Sequence, residues 1–320
     1  MSRYRGSRGI FSVIASVISA VILVAVVLIT VSPYVNLPFN IPTWEDLFEL
    51  SGLSSEQTVI TKDGLSVHYI DVGQADSILI MCDGEAALID AGENNAGNKI
   101  LNYLEKQEID KLKYVIGTHP DSDHIGGMDT VINGIEVENI ILPDIPDAIV
   151  PTTITYEDVL DAIIDNDLSV TKAVPGDEYE IGQAMLHILS PVNDYNDTNN
   201  MSIVTRLTYG ENAFVFAGDA EAEAENDILA SNQQLKADVL KLGHHGSNTS
   251  TTDKWLDEIN PTYAVIMVGK DNKYGHPNQE TLNKLEQRGI KYYRTDLNGT
   301  IVAISDGKNI EFKTEKGKVS

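Results

Sequence analysis

The chain has 320 residues and a net charge of −25, with 48 acidic residues against 23 basic ones. Nucleic-acid-binding proteins usually carry a basic surface because counterion release drives their affinity. This chain lacks that overall basic character, so its composition excludes a binder that attracts nucleic acid through its net charge. A single cysteine, Cys82, excludes a disulfide within the chain, and stability must therefore come from packing. The length allows one large domain with a substantial core.

The N-terminal region predicts a membrane anchor. Residues 10–31 form an apolar stretch without a charge, long enough as a helix to span about 30 Å of hydrocarbon. Three arginines precede it and no acidic residue occurs before Glu45, so the positive-inside rule predicts a cytoplasmic N-terminus and an extracellular remainder. A cleavable signal peptide is the alternative, but its apolar core normally has about 7–15 residues followed by a small-residue cleavage site. We therefore expect a single-pass protein of the cell membrane.

A proline-containing segment separates this stretch from the rest of the chain. Pro33, Pro38 and Pro42 precede a short amphipathic run, so the segment is interpreted as a linker or stalk. The predicted organisation is a basic cytoplasmic N-terminus, a transmembrane signal-anchor, the linker and one folded domain, at residues 1–9, 10–31, 32–60 and 61–320 respectively.

Residues 118–127 contain four side chains that can bind metal, namely His119, Asp121, Asp123 and His124. In an extended segment His119 and Asp121 point the same way, and a following helical turn would bring Asp123 and His124 to the same point. Imidazole and carboxylate ligands suit zinc, manganese or iron rather than a thiolate-bound structural metal. The plainer alternative is a polar loop with Asp123 as a helix N-cap, which does not account for two histidines and two aspartates at this spacing.

Asp219 is a further predicted ligand. Residues 214–219 are interpreted as a buried strand that ends in a Gly-Asp turn, which places the carboxylate at the carboxyl end of a strand. A carboxylate there can bridge two metal ions about 3.5–4 Å apart. The alternative is that Asp219 only caps the helix predicted to follow it.

Three later histidines complete the candidate set. His244 and His245 follow an apolar strand, and two adjacent histidines in an extended chain would not both face one metal, so one is predicted as a ligand and the other as a contact to the ligands or the substrate. His276 follows another strand-like run, and Pro277 would fix its loop. The sequence leaves open which of the three histidines binds metal.

Several motifs occur in the order seen in the metallo-β-lactamase superfamily. More narrowly, they resemble the extracytoplasmic hydrolase-like domain of the ComEC family of DNA-uptake channel proteins. The motifs are Val67–Ser77, Leu88–Gly92, the 118–127 run, Gly218–Glu221 and Leu240–Ser247, and the resemblance extends from about Leu65 to Asp306. It implies an α/β fold, a four-layer αβ/βα sandwich with a metal site at one edge between two sheets.

The resemblance also implies residue roles. The expected ligands of one or two divalent ions, zinc or manganese, are His119, Asp121, Asp123, His124, Asp219 and His244. Asp90 and Asp71 would support these ligands without touching the metal. Asp123 would accept a proton from the attacking water, and His276 or His245 would hold a phosphate group of the substrate.

The chain departs from the superfamily pattern in two places. Many members have a histidine where this chain has Asp121, and another one before the bridging aspartate. Here that interval contains only His187, which lies in a predicted strand and is interpreted as a packed or edge residue; the turn at 199–202 offers only amide and hydroxyl oxygens. An oxygen-rich position weakens zinc binding and favours manganese. Ala75 replaces the usual glycine and would be strained if its φ were positive.

Three functions follow as hypotheses. The first is a membrane-anchored extracellular hydrolase that cleaves a phosphodiester with a metal-activated water, with DNA as one candidate substrate, and that works beside separate DNA-uptake or cell-envelope machinery. The second is a hydrolase of a small ester, phosphocholine, lactone or cell-wall substrate, which the acidic composition favours. The third is a catalytically silent surface-binding module. A polyanionic substrate would have to be attracted by metal and a small basic patch predicted at Lys241, Lys270, Lys273, Lys291 and Arg294.

Overall fold

The computed structural model describes residue 26 and residues 64–316. The predicted basic N-terminus, the linker and, apart from residue 26, the predicted membrane anchor lie outside the described residues. Within this part of the chain, no helix combines the length and the apolar character that crossing a membrane requires.

Residues 64–316 alternate strands and helices. The strands are β1 (Leu65–Tyr69), β2 (Ile78–Cys82), β3 (Glu85–Ile89), β4 (Lys111–Ile116), β5 (Glu136–Leu142), β6 (Val170–Lys172), β7 (Glu178–Ile181), β8 (Ala184–Ile188), β9 (Thr205–Tyr209), β10 (Asn212–Phe216), β11 (Val239–Lys241), β12 (Tyr263–Ile266), β13 (Lys291–Arg294), β14 (Ile301–Ser305) and β15 (Ile310–Thr314). The helices are α1 (Gly97–Lys106), α2 (Ser122–Ile125), α3 (Met128–Gly134), α4 (Ile154–Asp165), α5 (Ala222–Ala230), α6 (Asp253–Ile259), α7 (Gln279–Gln287) and α8 (Thr295–Asn298), and a 3-10 turn spans Gly243–Gly246.

The strands form two mixed sheets. The first has the order β15-β14-β1-β2-β3-β4-β5-β6, and the second has the order β13-β12-β11-β10-β9-β8-β7. In the first sheet β3 to β6 pair in parallel, and in the second β10 to β13 do so. Strands β2 and β10 are buried throughout, which explains their nearly unbroken apolar sequences, since strands covered on both faces need no polar side. Strand β1 is also buried, and its polar residues Ser66 and His68 bond to each other.

Three apolar cores hold the layers together. The central core lies between the sheets and draws on both of them, with Val67, Ile80, Ile116, Leu207, Phe214, Phe216, Val239 and Val265 among its members. A second core joins the outer face of the first sheet to α1, α3 and α4, and a third joins the outer face of the second sheet to α5, α6 and α7. The α/β fold with two sheets that the sequence predicts is therefore confirmed, with helices on both outer faces.

Candidate metal centre

The candidate centre forms where loops leave the carboxyl ends of strands in both sheets. These loops carry Asp90 after β3, the 118–127 run after β4, Asp219 after β10, the Gly243–Gly246 turn after β11 and His276 after β12. The carboxyl ends of neighbouring parallel strands meet at one edge of a sheet, and this topology brings together side chains that are distant in the sequence.

Four of these side chains have the spacing of metal ligands. Asp123, His124, Asp219 and His245 each offer one ligand atom, and all of these atoms lie within 4.8 Å of one another. His124 Nε2 is 3.2 Å from Asp219 Oδ1, and His245 Nε2 is 3.2 Å from Asp123 Oδ2. The sequence predicts the first three as ligands and His245 as a contact to substrate, and the structure places His245 in the same group as the three.

Several buried atoms of this cluster have no hydrogen-bond partner among the described residues, namely His119 Nε2, His124 Nε2 and Asp219 Oδ1. The rings of His119 and His124 lie together, with centroids 4.1 Å apart. A buried polar atom left unpaired costs about 1–3 kcal/mol. A divalent cation with nitrogen and oxygen ligands would satisfy His124 Nε2 and Asp219 Oδ1, which belong to the four-residue group, so these residues fit such an ion; His119, also predicted as a ligand, is not a member of that group.

Asp90 and Thr118 hold the ring of His124. Asp90 Oδ2 accepts a hydrogen bond from His124 Nδ1 at 2.8 Å, which leaves Nε2 directed at the cluster. The Thr118 backbone N–H and hydroxyl both donate to the same carboxylate, at 2.8 and 2.7 Å. This geometry matches the supporting role predicted for Asp90, since metal-binding histidines commonly donate their other ring N–H to a carboxylate.

The charges of the cluster shift its pKa values strongly. Burial lowers the pKa of His124, but the carboxylates of Asp219 and Asp90 outweigh burial and hold it well above its usual range. Burial raises the pKa of Asp219, but His124 and His245 hold it well below its usual range. Despite burial, Asp219 and Asp123 raise the pKa of His245 to about 10. The carboxylates of the cluster thus favour positive charge on the neighbouring histidines. A divalent ion bound there would supply that charge in place of the histidine protons.

The turn after β11 brings both adjacent histidines to one carboxylate. His244 and His245 have φ values of 47° and 52°, a left-handed conformation that costs a residue other than glycine about 1–3 kcal/mol. Their Nε2 atoms lie 3.7 and 3.5 Å from Asp219 Oδ2. The extended conformation predicted for these two residues is wrong, because the left-handed turn lets both imidazole rings face Asp219, which an extended chain would not allow.

His244 and His276 form the rim of the centre. His244 is partly exposed and its Nδ1 lies 3.0 Å from Glu221 Oε1, while its ring centroid lies 5.6 Å from that of His276. Burial lowers the pKa of His276, and its Nδ1 atom is buried without a hydrogen-bond partner in the described chain. Tyr274 stacks on His276 with an interplanar angle of 10°. These two histidines therefore lie on the more exposed side of the cluster.

Asp121 faces an open groove at the same edge. Its Oδ2 lies 3.9 Å from His119 Nε2, and its Oδ1 accepts a hydrogen bond from the Thr198 hydroxyl at 2.9 Å. Burial raises its pKa. The groove has a volume of about 1130 Å³ and is lined by Val72, Gln74, Glu93, Asn94, Asn95, Pro120, Asp121, Ser122, Asp123, Ile149, Pro151, Thr153, Thr155, Thr198 and Tyr274.

Of the two aspartates in the first motif, Asp76 and not Asp71 reaches the cluster. Asp71 accepts a hydrogen bond from the Gly73 N–H, and its own N–H donates to Thr300. Asp76 is buried, with Oδ1 3.4 Å from His245 Nδ1. The supporting role of Asp71 stays a prediction, and Asp76 is a site residue that the sequence analysis missed.

Lys241 is the second residue that the sequence analysis misplaced. It is fully buried, its Nζ forms an ion pair with Asp76, and it donates a hydrogen bond to the Gly218 carbonyl at 2.9 Å. Burial lowers its pKa, but the carboxylates of Asp76 and Asp219 outweigh this and raise it. The prediction that Lys241 belongs to a basic surface patch is therefore wrong.

The two departures from the superfamily pattern have clear structural outcomes. His187 lies in β8, partly exposed, with its Nδ1 3.1 Å from Glu178 Oε1, which agrees with its interpretation as a packed residue. The hydroxyl of Ser202, from the 199–202 turn, lies 3.3 Å from His119 Nδ1 and accepts a hydrogen bond from the Asp219 N–H. Ala75 is not among the described residues with positive φ, so the condition under which it would be strained is not met.

The family model of the metallo-beta-lactamase superfamily matches residues 70–270, and the chain belongs to this superfamily. It is a metallo-beta-lactamase-fold protein whose cluster of histidines and aspartates is able to bind metal ions.

Two curated relatives each match most of the described chain. The chain is 33% identical to ComE operon protein 3 of Bacillus subtilis over 254 residues, which are 73% of this chain and 32% of that protein. It is 28% identical to Competence protein ComA of Neisseria gonorrhoeae over 261 residues, 81% of this chain and 35% of that protein. The chain thus spans about one third of the length of these relatives. The matches confirm the resemblance that the motifs predict.

A solved structure supports the fold alone. CmlA, a diiron beta-hydroxylase from Streptomyces venezuelae, superposes with a TM-score of 0.52 and 12% sequence identity, covering 77% of this chain and 55% of CmlA.

Proposed function

We propose that this chain is a membrane-anchored extracytoplasmic hydrolase that uses a divalent metal ion to cleave phosphodiester bonds, with DNA as the first candidate substrate. The observation that carries the proposal is the convergence of unpartnered buried ligand atoms from His119, His124 and Asp219 beside an open groove. The competence-related names of the relatives support a nucleic-acid substrate for the same fold.

His124, His245, Asp123 and Asp219 would hold the metal ion, with His119 beside them. A bound divalent ion would lower the pKa of a water molecule and offset negative charge that develops on the substrate. The protein's own groups fix the remaining geometry. Although burial raises the pKa of Asp123, the hydrogen bond from His245 lowers it to about 2, so this carboxylate stays ionised, which suits a metal ligand at the groove wall.

The rim residues supply contacts that suit a nucleotide. Tyr274 is 60% exposed, it lines the groove, and its ring stacks on His276. The Nζ atom of Lys273 lies 5.1 Å from the centroid of the Tyr274 ring. An exposed aromatic ring beside a cation offers stacking to a base and a charge to a phosphate, at about 1–3 kcal/mol per stacked base.

The test is turnover by the full-length chain loaded with manganese or zinc, assayed on single-stranded DNA and on a small phosphodiester reporter. We expect cleavage of both, with Tyr274→Ala raising KM for DNA about tenfold or more and leaving kcat and the reporter reaction unchanged. Tyr274→Phe, which keeps the ring, is the matched control. A metal-loaded chain that cleaves neither substrate would overturn the proposal and favour the silent binding module.

A second candidate substrate is a small ester, and one observation favours it. The residues that line the groove include Glu93, Asp121 and Asp123 but no lysine or arginine. A long polyanion gains most of its affinity from basic contacts, which this lining does not provide. Side-by-side kcat/KM values for DNA, phosphocholine esters, lactones and carboxylic esters separate the candidates, and a preference for an uncharged ester by more than about 100-fold would replace the phosphodiester proposal.

The anchor and partner remain part of the proposal. The apolar residues 10–31 and the preceding arginines support a single membrane span with the catalytic domain outside. We propose that the domain works beside separate DNA-uptake or envelope machinery. Protease accessibility of the domain in intact cells tests the orientation; protection of the domain until the cells are lysed would contradict it.

A further inference from the structure

The ammonium group of Lys241 lies in a pocket of oxygen atoms beside the metal cluster. Its Nζ contacts Asp76 Oδ2, donates to the Gly218 carbonyl at 2.9 Å and lies 3.9 Å from Asp219 Oδ1. The side chain is fully buried in β11, an interior strand of the second sheet, on the same face as Val239 of the core between the sheets. Lysine is almost never fully buried without a partner, because an isolated ammonium loses its hydration.

Carboxylate and carbonyl oxygens are also the ligands that hard divalent cations prefer. Asp76, Asp90 and His124 in fact form a second group whose potential ligand atoms lie within 4.8 Å of one another. His124 Nδ1 is already bonded to Asp90, however, and Asp90 also accepts two hydrogen bonds from Thr118. Asp76 is therefore the member of this inner group that needs a cation, and Lys241 is the cation that it has.

We propose that Lys241 is a built-in cation that fills an inner ion position formed by Asp76, the Gly218 carbonyl and Asp219. A metal ion is thereby confined to the side of Asp219 that the histidines face, where the Nε2 atoms of His124, His244 and His245 lie 3.2, 3.7 and 3.5 Å from its carboxylate oxygens. Lys241 is a positioning residue, since it pairs with Asp76 behind Asp219, with its Nζ 3.9 Å from Asp219 Oδ1, and does not line the groove. This inference rests on the metal centre proposed above.

A tethered ammonium differs from a bound ion in a functionally important way. It neutralises Asp76 at any concentration of free metal, because it is part of the chain. It also leaves the inner position unavailable to a second ion, since a like charge already occupies it. The number of ions that the centre binds is thus set partly by a strand residue that no metal touches.

The test is the metal content of the full-length chain, titrated with manganese alone and measured by calorimetry and by inductively coupled plasma mass spectrometry. Lys241→Met retains most of the apolar stem and removes the ammonium, so the inner position becomes available. We expect this variant to bind one manganese ion per chain more than the wild type does. The double variant Lys241→Met with Asp76→Asn should return to the wild-type number, because the carboxylate that holds the extra ion is gone.

Lys236→Met is the matched control, because the same change is made at an exposed position and should leave the number unchanged. Lys241→Gln, which keeps a polar end, is the second variant, and it too should gain one ion. Equal metal numbers in wild type and a folded Lys241 variant would overturn the inference. Failure of both variants to fold in excess manganese would overturn it as well, because the proposal requires that an ion can replace the ammonium. A wild-type chain that binds no metal would instead contradict the proposed function.

Discussion

The Nε2 atom of His124 lies 3.2 Å from the Oδ1 atom of Asp219, and both atoms are buried without a hydrogen-bond partner among residues 64–316. Two groups from different sheets thus face each other at a distance that a shared cation would bridge. Removing one of them should therefore affect the metal more than the fold.

Asp219→Asn should reduce metal affinity by more than about 100-fold, beyond the 10–100-fold typical of changes in residues that only support a ligand. The reason is the loss of a charged ligand that both His124 and His245 approach. Metal affinity is measured by calorimetry, with circular dichroism as the check on folding. Asp161→Asn, the same change at an exposed position of α4, is the control. Unchanged affinity in a folded Asp219→Asn variant would remove Asp219 from the metal site.

Asp90→Asn should lower metal affinity or activity about 10–100-fold while the fold is kept. The Asp90 carboxylate accepts hydrogen bonds from His124 and Thr118, and an amide can accept fewer of them. Asparagine is a suitable replacement because it tolerates the left-handed backbone, and Asp90 has a φ of 60°. Asp167→Asn is the matched control, since Asp167 is exposed and has a φ of 54°. If metal affinity or activity fell equally in Asp90→Asn and Asp167→Asn, the cause would be the backbone change and not the lost carboxylate.

His245→Asn should weaken metal binding more than His244→Asn, by about tenfold or more. His245 belongs to the four-residue group and its Nδ1 is bonded to the Met267 carbonyl, which leaves Nε2 facing Asp123. His244 lies at the rim, so its replacement should mainly raise KM. Asparagine is used at both positions because both have positive φ. The reverse order of effects would identify His244 as the principal ligand.

The sequence predicts the parts of the site that are local. In the 118–127 run Asp121 is extended at the start of α2 and Asp123 lies in the first turn of that helix, as expected, whereas residues 118–120 form a bend and not the extended segment predicted around His119. Asp219 follows a buried strand, as its apolar neighbours indicate. In each case the relevant contacts are made within a few residues, so the periodicity of side chains was sufficient to predict them.

The parts that the sequence does not predict depend on contacts across the two sheets. The choice between Asp71 and Asp76 is decided by a loop that packs against Asp123, where the Asp76 N–H donates to the Asp123 carbonyl. The orientation of His244 and His245 requires a left-handed turn, which the residue pattern does not predict. The burial of Lys241 could have been predicted, because alternation along the strand places Lys241 on the same face as the core residue Val239. A lysine on such a face must be buried and paired.

Acid should destabilise the fold through a histidine remote from the metal centre. His68 in β1 is fully buried and bonded to the Tyr103 hydroxyl and to Ser66, and burial lowers its pKa to about 3. An unfolded histidine has a pKa of about 6.5, so between these values the unfolded chain binds more protons. Neutral, buried His68 therefore makes its full contribution to the free energy of unfolding above about pH 6.5. As the pH falls below this value the contribution is lost, and the free energy of unfolding is lower by about 2 kcal/mol at pH 5.

His68→Gln, which removes the titrating group and keeps polar atoms for Ser66 and Tyr103, should reduce this acid sensitivity. Urea unfolding at pH 7.5 and pH 5, with a chelator present so that metal binding does not contribute, gives the free energy of unfolding at each pH. Between pH 7.5 and pH 5, the free energy of unfolding of the variant should fall by about 2 kcal/mol less than that of the wild type. His187→Gln, at a partly exposed position in β8, should lose as much as the wild type. Equal losses in the wild type and His68→Gln would show that His68 is not the buried neutral histidine that β1 and α1 enclose.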